Sequence, residues 1–270
     1  MLFSDLHKWH FTPAKQQRAD TSTVVLSHGF GTDQTAWRFI VPWLSQRYNV
    51  GVFDLAGAGE NGEKSFNPDR HTNIWAYADD LLSLLSEQQI PKCHMIGHSV
   101  SGMASLLASI EQPEMFESIV TIAASPRYLN DDDYIGGFEQ SDFDVLFAMM
   151  NDDYQTWAAG FVPLVAGEAT EDIIDEFSQS LRTMRPDIAI QTTRFIFQSD
   201  FRDILSRISV PVTAIQPEND IAVPQEVGCY LERHIPELTL KIVKTSGHLP
   251  HLTHPSVIID CLDRILPETR

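Results

Sequence analysis

The run from residue 93 to 102 constrains this chain more than any other part of its sequence. A short apolar stretch at 93–96 leads into Gly97-His98-Ser99-Val100-Ser101-Gly102 and then into a helical pattern. This is the sequence form of a nucleophile elbow, in which a serine stands on a sharp turn between a strand and a helix. The spacing departs from Gly-x-Ser-x-Gly because Ser101 stands at the last position, but serine is small enough for such a turn. A plain tight turn can carry the same pattern, so the surrounding sequence has to decide.

Strands alternate with helices along most of the chain. Apolar strand patterns occur at 24–27, 48–53, 93–96, 118–122, 210–216 and 238–243, and amphipathic helix patterns at 74–87 and 100–110. Such alternation is typical of a mostly parallel sheet that is covered by helices on both faces. Together with the elbow it predicts an α/β protein of the α/β-hydrolase fold.

The segment 125–199 interrupts this alternation. It has no convincing buried strand and shows helical stretches at about 143–150, 154–165, 170–184 and 187–198. We interpret it as an inserted four-helix lid above Ser99, with residues 1–124 and 200–270 forming the hydrolase core. Most of its many aromatic and apolar residues should pack the lid onto the core. A subset, in which we include Leu146 and Val165, should line a cavity that favours a compact apolar ligand.

A serine nucleophile needs a base to take its proton and a carboxylate to orient that base. On this kind of sheet the acid and then the histidine follow the serine, each after a later strand. The strand at 210–216 is followed by the acceptor-rich turn Pro217-Glu218-Asn219-Asp220. We predict Asp220 as the acid because it leads into Ile221-Ala222-Val223-Pro224, a segment expected to anchor the loop, and Glu218 is its competitor.

The predicted base is His248. It follows Gly247 after the strand at 238–243, and glycine lets the chain turn sharply so that the next residue points back toward the elbow. His251 and His254 follow closely, and we interpret them as surface or helix-start residues. The assignment of Ser99, Asp220 and His248 thus rests on chain order, strand context and turn chemistry together.

An anion-stabilising site is expected beside the serine. In this fold one donor is the backbone N–H of the residue after the nucleophile, and the other comes from the loop after an early strand. Those residues are Val100 and Phe30, the latter within His28-Gly29-Phe30-Gly31 after the strand at 24–27. Both donate through the backbone, so their side chains are free to shape the pocket.

The chain has 270 residues and a formal net charge of −18, which would repel phosphate backbones and anionic lipid surfaces. We therefore expect neither nucleic acid nor membrane partners. Cys93, Cys229 and Cys261 lack metal-ligand spacing, and an odd number argues against a disulfide framework. No metal site is expected, and the first ten residues lack the pattern of a secretion signal. The expectation is a cytoplasmic monomer.

Several blocks of the sequence together resemble one narrow family. The chain is similar to the group that contains the plant strigolactone and karrikin receptors and the bacterial stress regulator RsbQ, and the likeness extends over nearly everything after about residue 24. The blocks are Gly29-Phe30-Gly31-Thr32-Asp33-Gln34, Gly97-His98-Ser99-Val100-Ser101, Ser125-Pro126-Arg127-Tyr128-Leu129-Asn130, Gly136-Gly137-Phe138-Glu139, Phe197-Gln198-Ser199-Asp200-Phe201-Arg202 and Gly247-His248-Leu249-Pro250-His251. The first 20 or so residues are unusual, because the opening β-hairpin expected for the family is difficult to see.

The resemblance implies a V-shaped four-helix lid over a hydrophobic pocket, no cofactor, and slow hydrolysis of small esters or butenolide lactones. In the strigolactone receptors the triad cleaves an enol ether-linked butenolide and the lid then recruits signalling partners, and in RsbQ the partner is a phosphatase. The bulk of Phe197 and the position of Val165 bear on the size of the ligand. The residues that the resemblance places against the ligand are Phe30, Val100, Tyr128, Phe138, Phe161, Phe197 and Ala222.

Three functions follow as hypotheses. The favoured one is a serine hydrolase that cleaves a small apolar ester or butenolide-type lactone through an acyl-enzyme. The second is a ligand sensor that acts mainly through a protein partner on the lid, as in RsbQ-like stress signalling. The third is a catabolic carboxylesterase or carbon–carbon bond hydrolase, which needs a cationic group for a substrate carboxylate. Arg127, Arg194 and Arg202 are the candidates for that group, with surface or lid-anchoring ion pairs as their other role.

Overall fold

One seven-stranded sheet forms the centre of the structure, a computed structural model that describes residues 2–18 and 20–267. Its strands are β1 (His10–Thr12), β2 (Thr23–Ser27), β3 (Asn49–Phe53), β4 (Cys93–His98), β5 (Phe116–Ile122), β6 (Val212–Asn219) and β7 (Leu238–Ser246). They lie in the order β1-β3-β2-β4-β5-β6-β7. Only the β1–β3 pair is antiparallel among the described strands, so the mostly parallel sheet predicted from the sequence is confirmed.

Helices cover both faces of this sheet and its upper edge. Those that the described residues form are α1 (Phe3–Leu6), α2 (Val41–Leu44), α3 (Gly62–Ser65), α4 (Trp75–Glu87), α5 (Val100–Glu111), α6 (Gln140–Asp152), α7 (Tyr154–Ala166), α8 (Glu171–Thr183), α9 (Pro186–Phe197), α10 (Gln225–His234), α11 (Pro250–Thr253) and α12 (Pro255–Ile265). No helix within the described ranges is long and apolar enough to cross a membrane.

Alternate residues of the central strands enter two separate hydrophobic clusters, one on each face. In β2, Val25 belongs to the cluster that includes residues of α4 and α5, whereas Val24 and Leu26 belong to the cluster that includes Ile258 and Leu262 of α12. A strand with both faces buried has no polar side to display. This is why the strands are recognisable in the sequence as nearly continuous apolar runs.

The strand order reverses at β2. The chain passes from β2 to β3 on one side and then crosses to β4 on the other side. At such a reversal the loops that follow the two adjacent strands diverge and leave a crevice at their carboxyl ends. The loop that begins at His28 follows β2, and Ser99 follows β4, so the topology brings both to this crevice.

The helices α6 to α9 stand between β5 and β6 in the chain, and we call residues 140–197 the helical insertion. Four helices were expected here and four are present, although α6 begins slightly before the expected position. The side chains of Glu139 and Asp142 form a capping box that starts this helix. At the base of the insertion the chain enters and leaves side by side, since the Phe201 amide donates to the Pro126 carbonyl at 2.9 Å.

Two segments differ from the sequence-based expectation. The opening segment consists of the short helix α1 and then β1, which pairs antiparallel with β3. The predicted turn at 217–220 is instead mostly strand, because β6 continues through Pro217 and Asn219, which pair with Val243 and Ser246 around an irregularity. A proline is tolerated in a strand at such a point. The loop that carries Asp220 therefore begins three residues later than the apolar pattern indicates.

Candidate active site

Ser99 stands on the sharp turn that the sequence predicts. Its backbone has φ +54° and ψ −122°, a conformation that costs free energy for a residue with a side chain. The turn is held because the Ser99 amide donates to the Ile122 carbonyl of β5 at 2.8 Å. Gly97 permits the tight passage, since a Cβ atom there would lie 2.5 Å from the Ser101 carbonyl oxygen. The elbow therefore needs a glycine before the serine.

A continuous chain of hydrogen bonds links the three residues predicted as a triad. The Ser99 Oγ lies 2.9 Å from Nε2 of His248, and Nδ1 of His248 lies 2.7 Å from Oδ2 of Asp220. The other Asp220 oxygen accepts from the amides of Ala222 and Val223 at 2.9 and 3.2 Å. These amides hold the carboxylate in place, as expected for the anchoring segment. With Nδ1 protonated, Nε2 is free to accept the serine proton.

The competitors for these roles lie elsewhere. Glu218 is exposed at the end of β6, and His254 starts α12. His251 lies in the first turn of α11, which is one of its two expected positions, but its side chain is fully buried rather than at the surface. Its ring contacts Trp37 and His98 at centroid distances of 4.6 and 4.4 Å.

The backbone of His248 is held from both sides. Its amide donates to the Val165 carbonyl of α7 at 2.7 Å, and Nε2 of His98 lies 2.7 Å from its carbonyl oxygen, where it acts as the donor. Gly247 has φ +95° and lies so close to Gly167 that neither position could carry a side chain without displacement. His248 is thus positioned by the core and by the helical insertion together.

Two neutral histidines lie close to His248. Burial lowers the pKa of His98 far below its usual value and that of His251 to about 3, and repulsion from neighbouring imidazoles adds to both effects. Both imidazole rings are therefore neutral near pH 7. They therefore pack around His248 as uncharged groups and do not compete with it for the Ser99 proton.

The two predicted oxyanion donors flank the serine. Val100 is the first residue of α5, where backbone amides have no partner within the helix. Phe30 follows Gly29, and a Cβ atom at Gly29 would lie 3.2 Å from Cβ of Ser99 and 2.4 Å from Nδ1 of His98. Only glycine allows the loop after β2 to approach this closely. The approach brings the Phe30 backbone next to the nucleophile.

Ser101, the departure from the usual elbow spacing, joins the elbow to this loop. Its buried hydroxyl donates to the carbonyl of His28 and accepts from the Ser27 hydroxyl at 2.8 Å. A glycine at this position could make neither bond. The oxyanion loop is therefore connected by a side chain to the first turn of α5.

A small cavity of about 40 Å³ opens at Ser99. A cavity that holds one water needs roughly 10–15 Å³, so the space suits a compact group. The residues that line it are Phe30, His98, Ser99, Tyr128, Phe161, Val165, Phe177, Ile196, Phe197, Ala222, His248 and Leu249. The lining is mostly apolar and aromatic, which agrees with the type of ligand expected from the sequence.

The structure places Phe138, Leu146 and Val100 outside this lining, and the side chain of Val100 is buried. Phe138 packs edge-on against Phe197 at 5.6 Å and beside Phe143 at 5.5 Å, so it supports the wall from behind. Leu146 is partly buried against the core. Sequence reasoning missed His98, Phe177, Ile196 and Leu249. His98, Ile196 and Leu249 are each adjacent in the sequence to a predicted residue. For Phe177 the sequence shows only that it lies on the apolar face of its helix.

Tyr128 is the polar group of the cavity wall besides the triad and His98. Burial raises the pKa of its phenol, and a hydrogen bond with Ser99 opposes that rise. The phenol therefore remains protonated near neutral pH and can donate a hydrogen bond toward the nucleophile.

The three arginines considered for a substrate carboxylate have other partners. Arg127 and Arg202 both pair with Asp200 at the base of the insertion, at 2.6 and 2.8 Å. Arg194 lies over the ring of Phe147 at 4.8 Å. No arginine or lysine of the described chain lines the cavity. Within residues 2–18 and 20–267 there is also no group of three or more side chains of the kind that holds a metal ion.

Comparison with known proteins shows which family this chain belongs to. Residues 22–255 match the family described as alpha/beta hydrolase fold. Karrikin insensitive 2 receptor CA from Petunia hybrida is 46% identical over 244 residues, which is 90% of each chain. Strigolactone esterase RMS3 from Pisum sativum is 41% identical over 247 residues, 91% of this chain and 92% of the relative. Among solved structures, a hydrolase from Oleispira antarctica superposes with a TM-score of 0.92 at 33% identity, over 97% of this chain and 95% of the other.

Proposed function

We propose that this chain, which belongs to the α/β-hydrolase family and within it to the group of the strigolactone and karrikin receptors, cleaves a small apolar ester or butenolide-type lactone. The observation that carries the proposal is the buried chain Asp220–His248–Ser99, with contacts of 2.7 and 2.9 Å, which ends in an apolar cavity. The karrikin receptor and strigolactone esterase relatives support the same reaction class.

The reaction begins with attack by Ser99. Its Oγ forms a bond to the carbonyl carbon of the ester while its proton passes to Nε2 of His248. The carboxylate of Asp220 stabilises the imidazolium that results. The carbonyl π electrons move onto its oxygen, which accepts hydrogen bonds from the Phe30 and Val100 amides. When the tetrahedral intermediate collapses, the C–O bond to the alcohol breaks and His248 returns the proton to the leaving oxygen.

An acyl group then remains on Ser99. Water attacks its carbonyl carbon, gives a proton to His248, and releases the acid as the Oγ bond breaks and the proton returns to Ser99. In a lactone the leaving alcohol stays attached to the acyl group, so the first step opens the ring. The residues of the site suffice for both steps without a cofactor.

The substrate is a neutral molecule. The cavity lacks a lysine or arginine in the described chain, while His98 beside it is uncharged near neutral pH. A substrate carboxylate would therefore be buried without a partner, which costs several kcal/mol. The third hypothesis, a catabolic carboxylesterase or carbon–carbon bond hydrolase that needs a cationic group for a substrate carboxylate, is accordingly disfavoured.

A receptor role is the second candidate, and one contact favours it. The amide of His248 donates to the carbonyl of Val165, a residue that belongs to α7 and also lines the cavity. Any change of the histidine loop during the reaction therefore acts on the helical insertion. The Petunia hybrida relative is named as a receptor. We propose that the insertion serves as a lid whose state reports ligand cleavage to a protein partner.

The hydrolase proposal is tested by intact mass spectrometry and by rates with aryl esters and a fluorogenic butenolide. Ser99→Ala should lower the rate by at least about three orders of magnitude and abolish the covalent adduct, because it removes the hydroxyl that accepts the acyl group in the proposed reaction. Ser109→Ala is the matched control, since this buried serine of α5 bonds only to Leu106 of its own helix. Equal rates for wild type and Ser99→Ala would contradict the proposal.

The receptor proposal is tested separately by hydrogen exchange. With Ser99→Ala, an uncleaved lactone can bind but cannot acylate, so exchange in residues 140–197 should change less than in wild type during turnover. Rapid multiple turnover with no change of exchange in those residues would contradict a receptor role while leaving the hydrolase proposal intact.

A further inference from the structure

Two separate spaces meet at one side chain. Besides the cavity at Ser99, an outer cleft of about 240 Å³ lies between α8 and the loop after β2. Its walls include Thr32, Ala36, Ile173, Ser180, Thr183 and Leu252. Phe177 lines both spaces, and no other described residue does. The side chain of Phe177 therefore lies between the cavity at Ser99 and a larger cleft.

The position of this ring follows from its helix and from one glycine. Ile173, Phe177 and Leu181 are the buried residues of α8, spaced four apart on one face. They meet the oxyanion loop at Gly31, where φ is +79° and a Cβ atom would lie 2.9 Å from the Phe177 ring and from Leu181. Glycine at 31 thus lets the ring lie directly against the loop that carries Phe30.

The other rings of the cavity wall are held by aromatic neighbours. Phe197 contacts Tyr128, Phe138 and Phe143 at 4.9, 5.6 and 5.1 Å, and Phe161 stacks on Trp157 at 4.9 Å. Within the described chain Phe177 has no such ring contact, and on its far side there is open space. A rotation of this side chain would consequently meet less resistance than a rotation of its neighbours.

We propose that Phe177 is a movable partition and that the outer cleft is a second subsite, which takes the alkyl arm of a neutral ester too long for the cavity alone. The inference rests on the proposed hydrolase function and extends it to the substrate class. When the ring turns into the cleft or along its wall, the two spaces join, and a medium-length acyl chain can extend past the oxyanion loop while its carbonyl stays at Ser99.

The chemistry of the cleft limits what it accepts. Its floor is apolar at Ala36, Ile173 and Leu252, and its rim carries hydroxyl groups. It also contains Asp33 and Glu176, and the guanidinium of Arg38 is already paired with Glu176 at 2.6 Å. An alkyl chain fits this floor, but a terminal carboxylate would face acidic side chains. The subsite therefore favours uncharged arms.

The test compares p-nitrophenyl acetate with p-nitrophenyl octanoate. Each methylene that gains full burial is worth about fourfold in kcat/KM, so a joined cavity should strongly favour the longer ester. Phe177→Ala should raise the octanoate-to-acetate ratio of kcat/KM at least about tenfold over wild type. Phe177→Leu should raise it less, and it removes fewer atoms if the alanine variant fails to fold.

A second substitution tests the route itself. Ser180 is one helical turn from Phe177 on the same side of α8 and lines the outer cleft. In Phe177→Ala, the added change Ser180→Trp should fill the cleft and return the ratio to near the wild-type value. Phe161→Ala is the matched comparison, because it enlarges the cavity next to Trp157 instead, and any gain it produces should not respond to Ser180→Trp.

An unchanged ratio in Phe177→Ala and Phe177→Leu, or a gain that Ser180→Trp does not remove, would overturn the proposal. Absence of Ser99-dependent hydrolysis of both esters in wild type would instead contradict the hydrolase function. In that case the subsite is still judged by binding of 1-octanol, which should raise the Tm of Phe177→Ala more than that of wild type. Loss of this difference with Ser180→Trp would support the subsite, and no difference would overturn it.

Discussion

At the scale of single residues, Ser101 has the most specific consequence. Its hydroxyl lies between the Ser27 hydroxyl and the His28 carbonyl, so it couples the first turn of α5 to the loop that positions Phe30. Oxyanion donors act only when they are held at the position where negative charge develops. In the proposed reaction Ser101 is therefore a positioning residue, which acts through the loop because it does not line the cavity.

Ser101→Ala should lower kcat about three- to tenfold with little change in KM. One neutral hydrogen bond contributes about 1 kcal/mol, and its loss loosens the donor loop that acts in the transition state. Steady-state kinetics with an aryl ester measure both constants. Ser101→Thr keeps the hydroxyl and should retain more of kcat than alanine.

The control for this prediction is Ser27→Ala. It removes the donor to Ser101 and leaves the bond from Ser101 to His28 in place, so its kcat should fall less. A Ser101→Ala protein with lowered Tm and wild-type kcat would show that the hydroxyl serves only stability.

The arrangement of Ser99, Asp220 and His248 could be predicted because each follows a recognisable strand, and parallel strands end at one edge of a sheet. The burial of His251 and the position of Phe177 beside the cavity could not be predicted from the sequence. Both depend on how a helix packs after folding, which is a contact between distant segments. The spacing of α8 shows which of its faces is apolar, but not that this face lies against Gly31.

At the scale of elements, the base of the helical insertion is held by a compact set of charges. Asp200 accepts from Arg127 at 2.6 Å and from Arg202 at 2.8 Å, and Arg202 also contacts Asp131 at 2.8 Å. These residues belong to the two chain segments that join the insertion to the core. The Arg202 guanidinium additionally lies 5.1 Å from the ring centre of Tyr134. Several linked pairs with bidentate arginine geometry hold the segments better than one isolated pair.

Asp200→Asn should loosen the insertion without unfolding the sheet. It removes the shared carboxylate and leaves two guanidinium groups close together, at a cost of about 1 kcal/mol for these partly exposed groups. Hydrogen exchange in residues 140–197 should accelerate while β4 and β5 keep wild-type protection.

Asp187→Asn is the control for the loosened insertion. Asp187 pairs with Arg185 inside the insertion at 2.7 Å, and both side chains are largely exposed. The contact of Arg185 with Glu63 of the core, at 4.0 Å, is left in place by this substitution. Equal exchange in the Asp200 and Asp187 variants would contradict a role of the charged base.

Most elements could be predicted from the sequence because their burial pattern is local. The double-sided burial of β2 to β6 leaves clear apolar runs, and the buried faces of the helices of the insertion leave apolar residues at helical spacing. The end of β6 could not be predicted, because Pro217 indicates a turn in the sequence. Only the pairing of β6 with β7 shows that the strand continues past this residue. The segment α1–β1 is too short to carry a periodic signal.

At the scale of the whole molecule, the buried histidines make stability depend on pH. Burial lowers the pKa of His7, His28, His94, His98 and His251 below the usual value of 6.5. In the unfolded chain these groups take up protons near pH 6.5, whereas in the folded chain they stay neutral to lower pH. The unfolded state therefore binds more protons in this range, and stability falls as the pH falls below 6.5. Asp54, whose pKa burial raises, acts in the opposite direction.

His251→Asn should reduce this pH dependence. With a folded pKa of about 3 and an unfolded value of 6.5, His251 accounts for about 2 kcal/mol of the stability lost between pH 7 and pH 5. Urea unfolding of both proteins at the two pH values measures the difference. His10→Asn, at an exposed position of β1, is the control. An unchanged difference in His251→Asn would show that this ring is already protonated in the fold.

The paired segments at the base of the insertion also affect how such a protein can evolve. The Phe201 amide donates a hydrogen bond to the Pro126 carbonyl at 2.9 Å. The segment between these two residues is therefore a loop whose ends are already held together by the core. Lengthening a loop whose ends are fixed costs little additional entropy. The helices of the insertion can thus be replaced or lengthened during evolution as one unit. Such changes can alter which ligand binds without disturbing the strand register that aligns Ser99, Asp220 and His248.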